Sequence, residues 1–317
     1  MKKHLIAAAV AGALAVPAMA QVTVYGIMEA GIGSTSTSGA SSTTGVVDST
    51  VNTSRLGFKG SEDLGGGMKA IFGLEARLDP QTGNVDQNGK NSFFERGAYV
   101  GLSGGFGTVR IGKLDHAGGE NNDASVFGNV GLVSSNVEIG SDRNNTIDYT
   151  SPAMGGFTVN IGHSLSDNGA TDADNTHDGI TTYQISGSVG GVSLKVGGGT
   201  EKEVNGTKTK VMGVSAGTSI AGAKVGISYQ TAEVASVDRK HTLVNGALPL
   251  GGALTAYAVY GKYDVDGTTS TDSTTTAVGV GYALSKRTTV YALHRNTDLG
   301  TGGNDMKETN LLVSHSF

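Results

Sequence analysis

Residues 55–79 of the chain read RLGFKGSEDLGGGMKAIFGLEARLD, from Arg55 to Asp79. In the second half of this stretch, apolar residues at the even positions from Ala70 to Leu78 alternate with mostly polar residues at the odd positions. A side-chain period of two indicates a β-strand with one apolar and one polar face. The first half alternates in the same way, and the glycines of residues 64–67 suit a tight reversal, so the stretch predicts an antiparallel hairpin.

The polar face of this hairpin carries at least two charged side chains on each strand, which is too many for a packed core. Water must therefore lie against that face. In a soluble β-sandwich the polar face would look outward, whereas in an outer-membrane barrel the apolar face lies on lipid and the polar face lines a water-filled lumen. Alternation alone fits both architectures.

The start of the chain has the composition of a secretory signal peptide. Two lysines precede an apolar run over residues 5–16, and small residues around Ala20 suit a cleavage site. The run is shorter than the roughly 20 residues of a spanning helix, which disfavours a membrane anchor. We therefore expect residues 1–20 to be removed on export and residues 21–317 to form one domain outside the cytoplasm.

The composition narrows the class of protein. No other stretch approaches the length of a spanning helix, so a membrane-embedded form would need strands closed into a barrel. Glycine accounts for 51 of the 317 residues and large apolar residues are few, which argues against a solid core. The chain has no cysteine and so can form no disulfide. Without Lys2 and Lys3 the 23 basic residues become 21 against 28 acidic ones, and this charge of −7 disfavours nucleic acid as a partner.

Short turn signals alternate along the chain with longer polar stretches. The seven short signals are near residues 64–67, 103–107, 151–156, 189–191, 219–223, 249–252 and 284–286, and the eight long ones are near 35–50, 80–91, 115–143, 166–177, 201–207, 233–240, 264–273 and 297–305. An even strand number, with short turns at one end and long loops at the other, is typical of an outer-membrane barrel and not of a Greek-key sandwich. We therefore predict an all-β fold, a 16-stranded antiparallel transmembrane β-barrel with short periplasmic turns and long outer loops.

The alternation is not equally informative everywhere. Residues 96–102 and 253–262 fit either strand register equally well. The last ten residues, Glu308 to Phe317, alternate cleanly and end on an aromatic side chain. This segment suits the last strand of a barrel, closing against a first strand over residues 21–33.

Five motifs occur together in the chain: Gln21-Val22-Thr23-Val24-Tyr25-Gly26, Ser54 to Gly60 with Glu62 to Gly65, Arg96 to Ser103, Gly107 to Gly112, and the terminal Phe317. In combination they resemble the general-diffusion porins of Gram-negative bacteria, in the β-proteobacterial branch. The resemblance covers residues 21–317 and implies a homotrimer in the outer membrane, in contact with its lipid and lipopolysaccharide. It also implies an inward-folded third loop, and recognition of Phe317 by the outer-membrane assembly machinery.

The segment from Asp115 to Arg143 is the longest between predicted strands, and long ordered loops are usually functional. As the third long loop it is the natural constriction of a barrel. Its first acidic residues are Asp115, Glu120 and Asp123, and the strands before it place Arg55, Lys59, Lys69, Arg77 and Arg110 on the predicted lumen face. Fixed charges in a narrow aqueous passage decide which ions and solutes pass. We expect a basic wall opposite an acidic loop, with a transverse field that orders water and rejects apolar solutes.

By the resemblance, the constriction arginines are Arg55, Arg96 and Arg143. The basic lumen predicts a mild anion preference, although the acidic loops and the charge of −7 act in the opposite direction.

The sequence predicts no catalysis, no metal site and no cofactor. Residues 213–217 match the nucleophile-elbow pattern of hydrolases, but one alternating strand continues through them, whereas an elbow turns from a strand into a helix. The histidines lack metal-ligand spacing. We expect a passive channel for small hydrophilic solutes and ions. The alternative is a barrel with a closed lumen that acts as an adhesin or scaffold, and conductance in planar bilayers separates the two.

Overall fold

The structure is a computed structural model that describes residues 21–85, 93–115, 128–131, 139, 143–166, 177–203, 205–300 and 303–317. The predicted signal peptide, residues 1–20, lies outside the described residues, as do Glu120 and Asp123 of the predicted constriction loop. The described part of the chain contains no helix that is long and apolar enough to cross a membrane.

Seventeen β-strands make up most of the described chain. They are β1 (Gln21–Thr37), β2 (Thr43–Asp48), β3 (Arg55–Gly65), β4 (Met68–Arg77), β5 (Gly97–Gly104), β6 (Gly107–Leu114), β7 (Arg143–Thr150), β8 (Phe157–Ser164), β9 (His177–Val189), β10 (Val192–Glu203), β11 (Lys208–Ile220), β12 (Ala223–Val234), β13 (Val237–Gly251), β14 (Leu254–Val265), β15 (Thr268–Ala283), β16 (Thr288–Asp298) and β17 (Met306–Ser316). A 3₁₀ turn, Gly128–Gly131, is described between β6 and β7.

The strands form one closed antiparallel ring. β1 pairs with β17 on one side, in a register that joins Ile27 to Ser316 and Thr37 to Met306. On its other side β1 pairs with β3 along its first half and with β2 along its second half. β2 and β3 therefore share one place in the ring, separated by a strand break at residues 49–54, and the seventeen strands fill sixteen places. The predicted 16-stranded antiparallel β-barrel is confirmed.

The apolar side chains of the strands point away from the barrel interior. In β12 the exposed fraction is 51% at Ile227 but 1% at Ser228, and it is 44% at Tyr229 but 2% at Gln230. A soluble sandwich would bury the isoleucine and expose the serine. The opposite arrangement fits a barrel whose outer surface meets lipid.

The structure also fixes the two registers that the sequence left open. In β5, Val100 and Leu102 are exposed on the outer surface, and the ring of Tyr99 lies on the inner one. In β14, Val259 is buried inside the barrel and Tyr260 is exposed outside.

The seven predicted short turns all join neighbouring strands at one end of the barrel, but three segments at the other end are more extended than predicted. β1 and β2 occupy much of residues 35–50, and two-residue turns at 235–236 and 266–267 join the strands on either side. Serine and threonine are frequent in residues 35–50 and 264–273, and charged residues are frequent in 233–240. Threonine also has a high strand propensity. A polar stretch between two strands can therefore be either a loop or a part of the strands that extends beyond the membrane into water.

Several glycines on the barrel wall lie beneath an aromatic ring of the neighbouring strand. A Cβ atom added to Gly57 would lie 2.2 Å from the ring of Tyr25, and one added to Gly73 would lie 2.5 Å from the ring of Tyr99. Only glycine lets these rings lie flat against the strand beside them. This packing accounts for part of the high glycine content.

Loop three, residues 115–142, joins the neighbouring strands β6 and β7, yet its described residues pack against the opposite side of the barrel. Val130 is fully buried in an apolar cluster with inward-facing side chains of β13 to β17, which are Leu243, Val259, Ala277, Leu293 and Leu312. Ile139 is fully buried against side chains of β9, β11, β12 and β14, which are Ile180, Val211, Ala232 and Tyr263. The described residues around Val130 and Ile139 therefore lie inside the barrel, and the predicted inward fold is confirmed.

Candidate pore constriction

Two unlike walls face each other inside the barrel. The apolar wall consists of Leu243, Val259, Ala277, Leu293 and Leu312, and loop three covers it through Val130. The basic wall is the inner surface of β3 to β7 together with the turn before β5. Because residues 128–131 and 139 lie on the apolar side, the passage that they narrow is bounded on its other side by the basic wall.

Two arginines of the basic wall are bound to carboxylates that are almost buried. Arg77 Nε donates to Glu95 Oε1 at 2.9 Å, and 26% of the arginine side chain is exposed against 6% of the glutamate. Arg110 donates to Asp148 Oδ1 at 2.7 Å, with exposed fractions of 29% and 2%. In both pairs the carboxylate lies behind the guanidinium, so the positive partner is the one that meets the lumen water.

A third carboxylate, Glu75, joins an arginine to a tyrosine. Its Oε1 accepts a hydrogen bond from Arg96 Nε at 2.7 Å, and its Oε2 accepts one from the Tyr25 hydroxyl at 2.9 Å. The Lys59 ammonium lies 5.0 Å from the centroid of the Tyr25 ring, a distance typical of a cation–π contact. These contacts hold the charged groups of β3, β4 and the turn before β5 in fixed relative positions.

Arg55 differs from the other three arginine side chains described on this wall. No carboxylate among the described residues forms a salt bridge with it. Its direct neighbour in the register of β3 and β4 is Arg77, and like charges opposite each other repel. The bond from Arg77 to Glu95 reduces this repulsion. Of the four guanidinium groups, that of Arg55 therefore has the positive charge that is neutralised least by nearby carboxylates.

The structure brings the predicted basic residues of β3 to β6 onto one wall, namely Arg55, Lys59, Lys69, Arg77, Arg96 and Arg110. Arg143 begins β7, where its backbone pairs with Leu114, and Asp115 is exposed just after β6. Glu120 and Asp123 lie outside the described residues. The predicted opposition between a basic wall and an acidic loop stays a prediction.

Sequence reasoning did not nominate the three carboxylates of the basic wall or the two residues that anchor loop three. A signal existed for Glu75, because it lies two positions before Arg77 on the same face of one strand. Asp148 is likewise a polar residue between the outward-facing Ile147 and Tyr149. For Val130 there was no comparable signal, since several other apolar residues lie within the same segment and no periodic pattern distinguishes Val130 from them.

A closed barrel that is apolar outside, charged inside and narrowed by an inward loop is the architecture of a diffusion channel of the outer membrane. The family model for the Gram-negative porins matches residues 7–301. The chain therefore belongs to the Gram-negative porin family, whose members are outer-membrane channels.

Individual relatives agree with this family. Outer membrane porin protein 32 of Delftia acidovorans is 30% identical over 334 residues, which cover 96% of this chain and 92% of that protein. Major outer membrane protein P.IB of Neisseria gonorrhoeae is 37% identical over 221 residues, 64% of this chain, and the match spans only 60% of that protein's length. The anion-selective porin from Comamonas acidovorans has the same fold, with a TM-score of 0.78 and 23% identity over 94% of this chain and 100% of that one. The resemblance to β-proteobacterial porins is confirmed.

Proposed function

We propose that the protein forms a water-filled channel for passive diffusion of small hydrophilic solutes and ions across the outer membrane, with a mild preference for anions. One observation carries the preference. On the basic wall the guanidinium groups of Arg77 and Arg110 are exposed, and the carboxylates that bind them are nearly buried. An ion in the lumen therefore meets the positive partner of each pair first. A structural relative from Comamonas acidovorans is described as an anion-selective porin, which supports the proposal.

Arg55 and Lys59 strengthen this field, because no described carboxylate forms a salt bridge with either. We assign them, with Arg96 and Arg143, to the selectivity filter. The charges of Asp115, Glu120 and Asp123 would act in the opposite direction from the loop side. The preference for anions is therefore expected to be mild.

A reversal-potential measurement on purified protein in planar bilayers tests channel formation and selectivity together. Stable current steps and a reversal potential of the anion-selective sign, in a gradient of potassium chloride, are the expected results. A conducting channel with cation preference would overturn the selectivity, and correctly folded protein that never conducts would favour a scaffold with a closed lumen.

We also propose a homotrimer. On β9, β12 and β14 the outward-facing Tyr183, Tyr229 and Tyr260 each lie six residues from the short-turn end of the strand, and such a row of tyrosines is typical of the water–lipid boundary. The outward side of β1 has no such aromatic boundary at this height and is continuously apolar from Val22 to Ile32. Such a surface fits contact with another copy of the chain. A solved structural neighbour, OmpT of Vibrio cholerae, is described in a trimer form. Cross-linking of folded protein in native membranes should give trimers, and only monomers would contradict the proposal.

The two ends of the chain carry further proposals. Residues 1–20 act as the export signal, and Phe317 is the feature recognised by the assembly machinery. Phe317 extends the last strand, because its backbone exchanges hydrogen bonds with Gly26 of β1 at 3.1 and 3.2 Å. Its ring also lies against Gly26 and is 42% exposed on the outer surface. We expect Phe317→Ala to lower the yield of assembled trimer in cells without preventing folding of the purified chain, and equal losses in both settings would contradict recognition.

A further inference from the structure

The strand break at residues 49–54 is held in shape by a carboxylate that no lumen water reaches. Glu29 of β1 is fully buried. It accepts hydrogen bonds from the backbone N–H of Val51 at 2.7 Å, from the backbone N–H of Asn52 at 2.9 Å and from the Asn52 side-chain amide at 3.1 Å. Burial of a carboxylate is unfavourable unless donors surround it, so these contacts fix the two residues relative to β1.

A second contact ties the far end of the break to the same residue. The backbone N–H of Glu29 donates to Ser54 Oγ at 2.9 Å, and this hydroxyl donates in return to the Glu29 carbonyl at 3.2 Å. Glu29 therefore determines the path of the break through its side chain and its backbone together.

The opposite side of the break binds loop three. The backbone N–H of Asn129 donates to the Val51 carbonyl at 3.0 Å. The Asn129 side-chain amide donates to the Ser49 carbonyl at 3.3 Å and to Thr53 Oγ1 at 3.2 Å. Val51 also belongs to the apolar cluster that contains Val130. The break thus presents three acceptors and one apolar side chain to loop three, and its own shape depends on Glu29.

We propose that Glu29 is a positioning residue of the pore: it shapes residues 49–54 into a clasp that holds loop three at Asn129 and keeps the width of the passage constant. This inference rests on the proposed channel function. Glu29 acts through the clasp and not through its charge, because its side chain, although on the inward side of β1, is fully buried beneath residues 51 and 52.

Replacement of Glu29 by Gln tests this role with little change in volume. A glutamine has one acceptor oxygen, and its NH₂ group would face a backbone N–H donor that the carboxylate now accepts. The clasp would then lose at least one of its three bonds, and hydrogen bonds to a charged acceptor are the stronger kind. We expect Glu29→Gln to raise the variance of the open-channel current severalfold in planar bilayers. The matched control is Glu308→Gln, a lumen-wall carboxylate bound to Arg295 and distant from the clasp, and its current should be as quiet as the wild type's.

A cysteine pair supplies a rescue that a merely structural role would not allow. The chain has no native cysteine, and a backbone hydrogen bond of 3.0 Å joins residues 51 and 129. We therefore expect cysteines at these two positions to come close enough for a disulfide. In the Glu29→Gln background, Val51→Cys with Asn129→Cys should return the variance to the wild-type level when oxidised. Reduction with dithiothreitol should restore the noise.

The outcomes separate this proposal from the channel function. A Glu29→Gln channel as quiet as the wild type, or noise that persists after oxidation of the cysteine pair, would overturn the clasp while the channel function stands. Should Glu29→Gln fail to fold, Asn129→Ala removes the two side-chain bonds of the loop and leaves Glu29 and the wall intact. A rise in variance in the same direction is expected. If the wild type does not conduct, the channel function fails, but the clasp can still be tested. The test is then the rate at which the cysteine pair at residues 51 and 129 forms its disulfide in folded protein, and Glu29→Gln should lower this rate severalfold. An unchanged rate would refute the clasp.

Discussion

Arg55 offers the most direct test of the selectivity proposed for the basic wall. No described carboxylate neutralises its charge, so its replacement by Gln removes a field that the neighbouring groups do not cancel. For an ion passing about 6 Å from the guanidinium through water, the interaction is about 0.7 kcal/mol. Screening at about 0.1 M salt, where the Debye length is about 10 Å, reduces this to about 0.4 kcal/mol.

The energies of an anion and a cation change by this amount in opposite directions. The anion-to-cation permeability ratio of Arg55→Gln should therefore fall about fourfold relative to the wild type at low salt. At about 1 M salt the Debye length is about 3 Å, and the difference between the two channels should nearly disappear.

The assay is the reversal potential of purified protein in a potassium chloride gradient. Arg287→Gln is the matched control, because this exposed arginine lies in the turn between β15 and β16, outside the lumen, and its loss should leave the ratio unchanged. Equal ratios for wild type and Arg55→Gln at low salt, in channels that conduct normally, would remove Arg55 from the filter. A fall of equal size in the control would show that the effect is not local.

Three further changes test other parts of the structure. Glu75→Gln removes the carboxylate bound to Arg96. The anion-to-cation permeability ratio, measured by reversal potential, should rise by up to about fourfold, and a fall would contradict the placement of this pair in the passage. Gly57→Ala places a methyl group against the ring of Tyr25. The free energy of unfolding in urea titrations should fall by about 1–3 kcal/mol, whereas unchanged stability would show that the ring moves freely. Ile227→Lys should cost about 2–4 kcal/mol in lipid vesicles, because this side chain faces the bilayer. Ser61→Lys, at an exposed inward position of β3, should fold well, and the reverse order would exchange the two faces.

Much of the fold could be predicted from sequence because one rule recurs in most strands. Outward positions are apolar and most inward positions are polar, small or charged, as residues 55–79 already show, and the main exceptions are the inward apolar side chains that pack against loop three. The spacing of the short turns then selected a barrel over a sandwich. Composition failed at 233–240 and 264–273, because polar and charged side chains occur both in loops and in strands that extend into water, and threonine in the second segment also favours strands. The strand break at 49–54 had no signal of its own.

The candidate site was predictable only in part. Arg55, Lys59 and Arg77 share one strand parity, so their common wall follows from the hairpin alone. The partner of Arg110 is Asp148, which lies 38 residues later on the far side of loop three, and that contact depends on a register the sequence does not reveal. The anchoring of Val130 depends on side chains of five different strands, and no local pattern encodes it.

The uneven outer surface has a consequence for the surrounding bilayer. The rise is about 3.3 Å per residue and the strand tilt about 40°. The apolar surface of β1, ten residue steps from Val22 to Ile32, is therefore about 25 Å tall, whereas that of β9, six steps from Val189 to Tyr183, is about 15 Å tall. If the tall side is covered by neighbouring copies, acyl chains meet only the short side. Hydrophobic mismatch would then compress the membrane in a thin ring around each assembly, and two such assemblies would lower the total deformation by lying side by side. Crowding of these channels into dense patches would thus arise from the shape of their rim, without any specific contact between them.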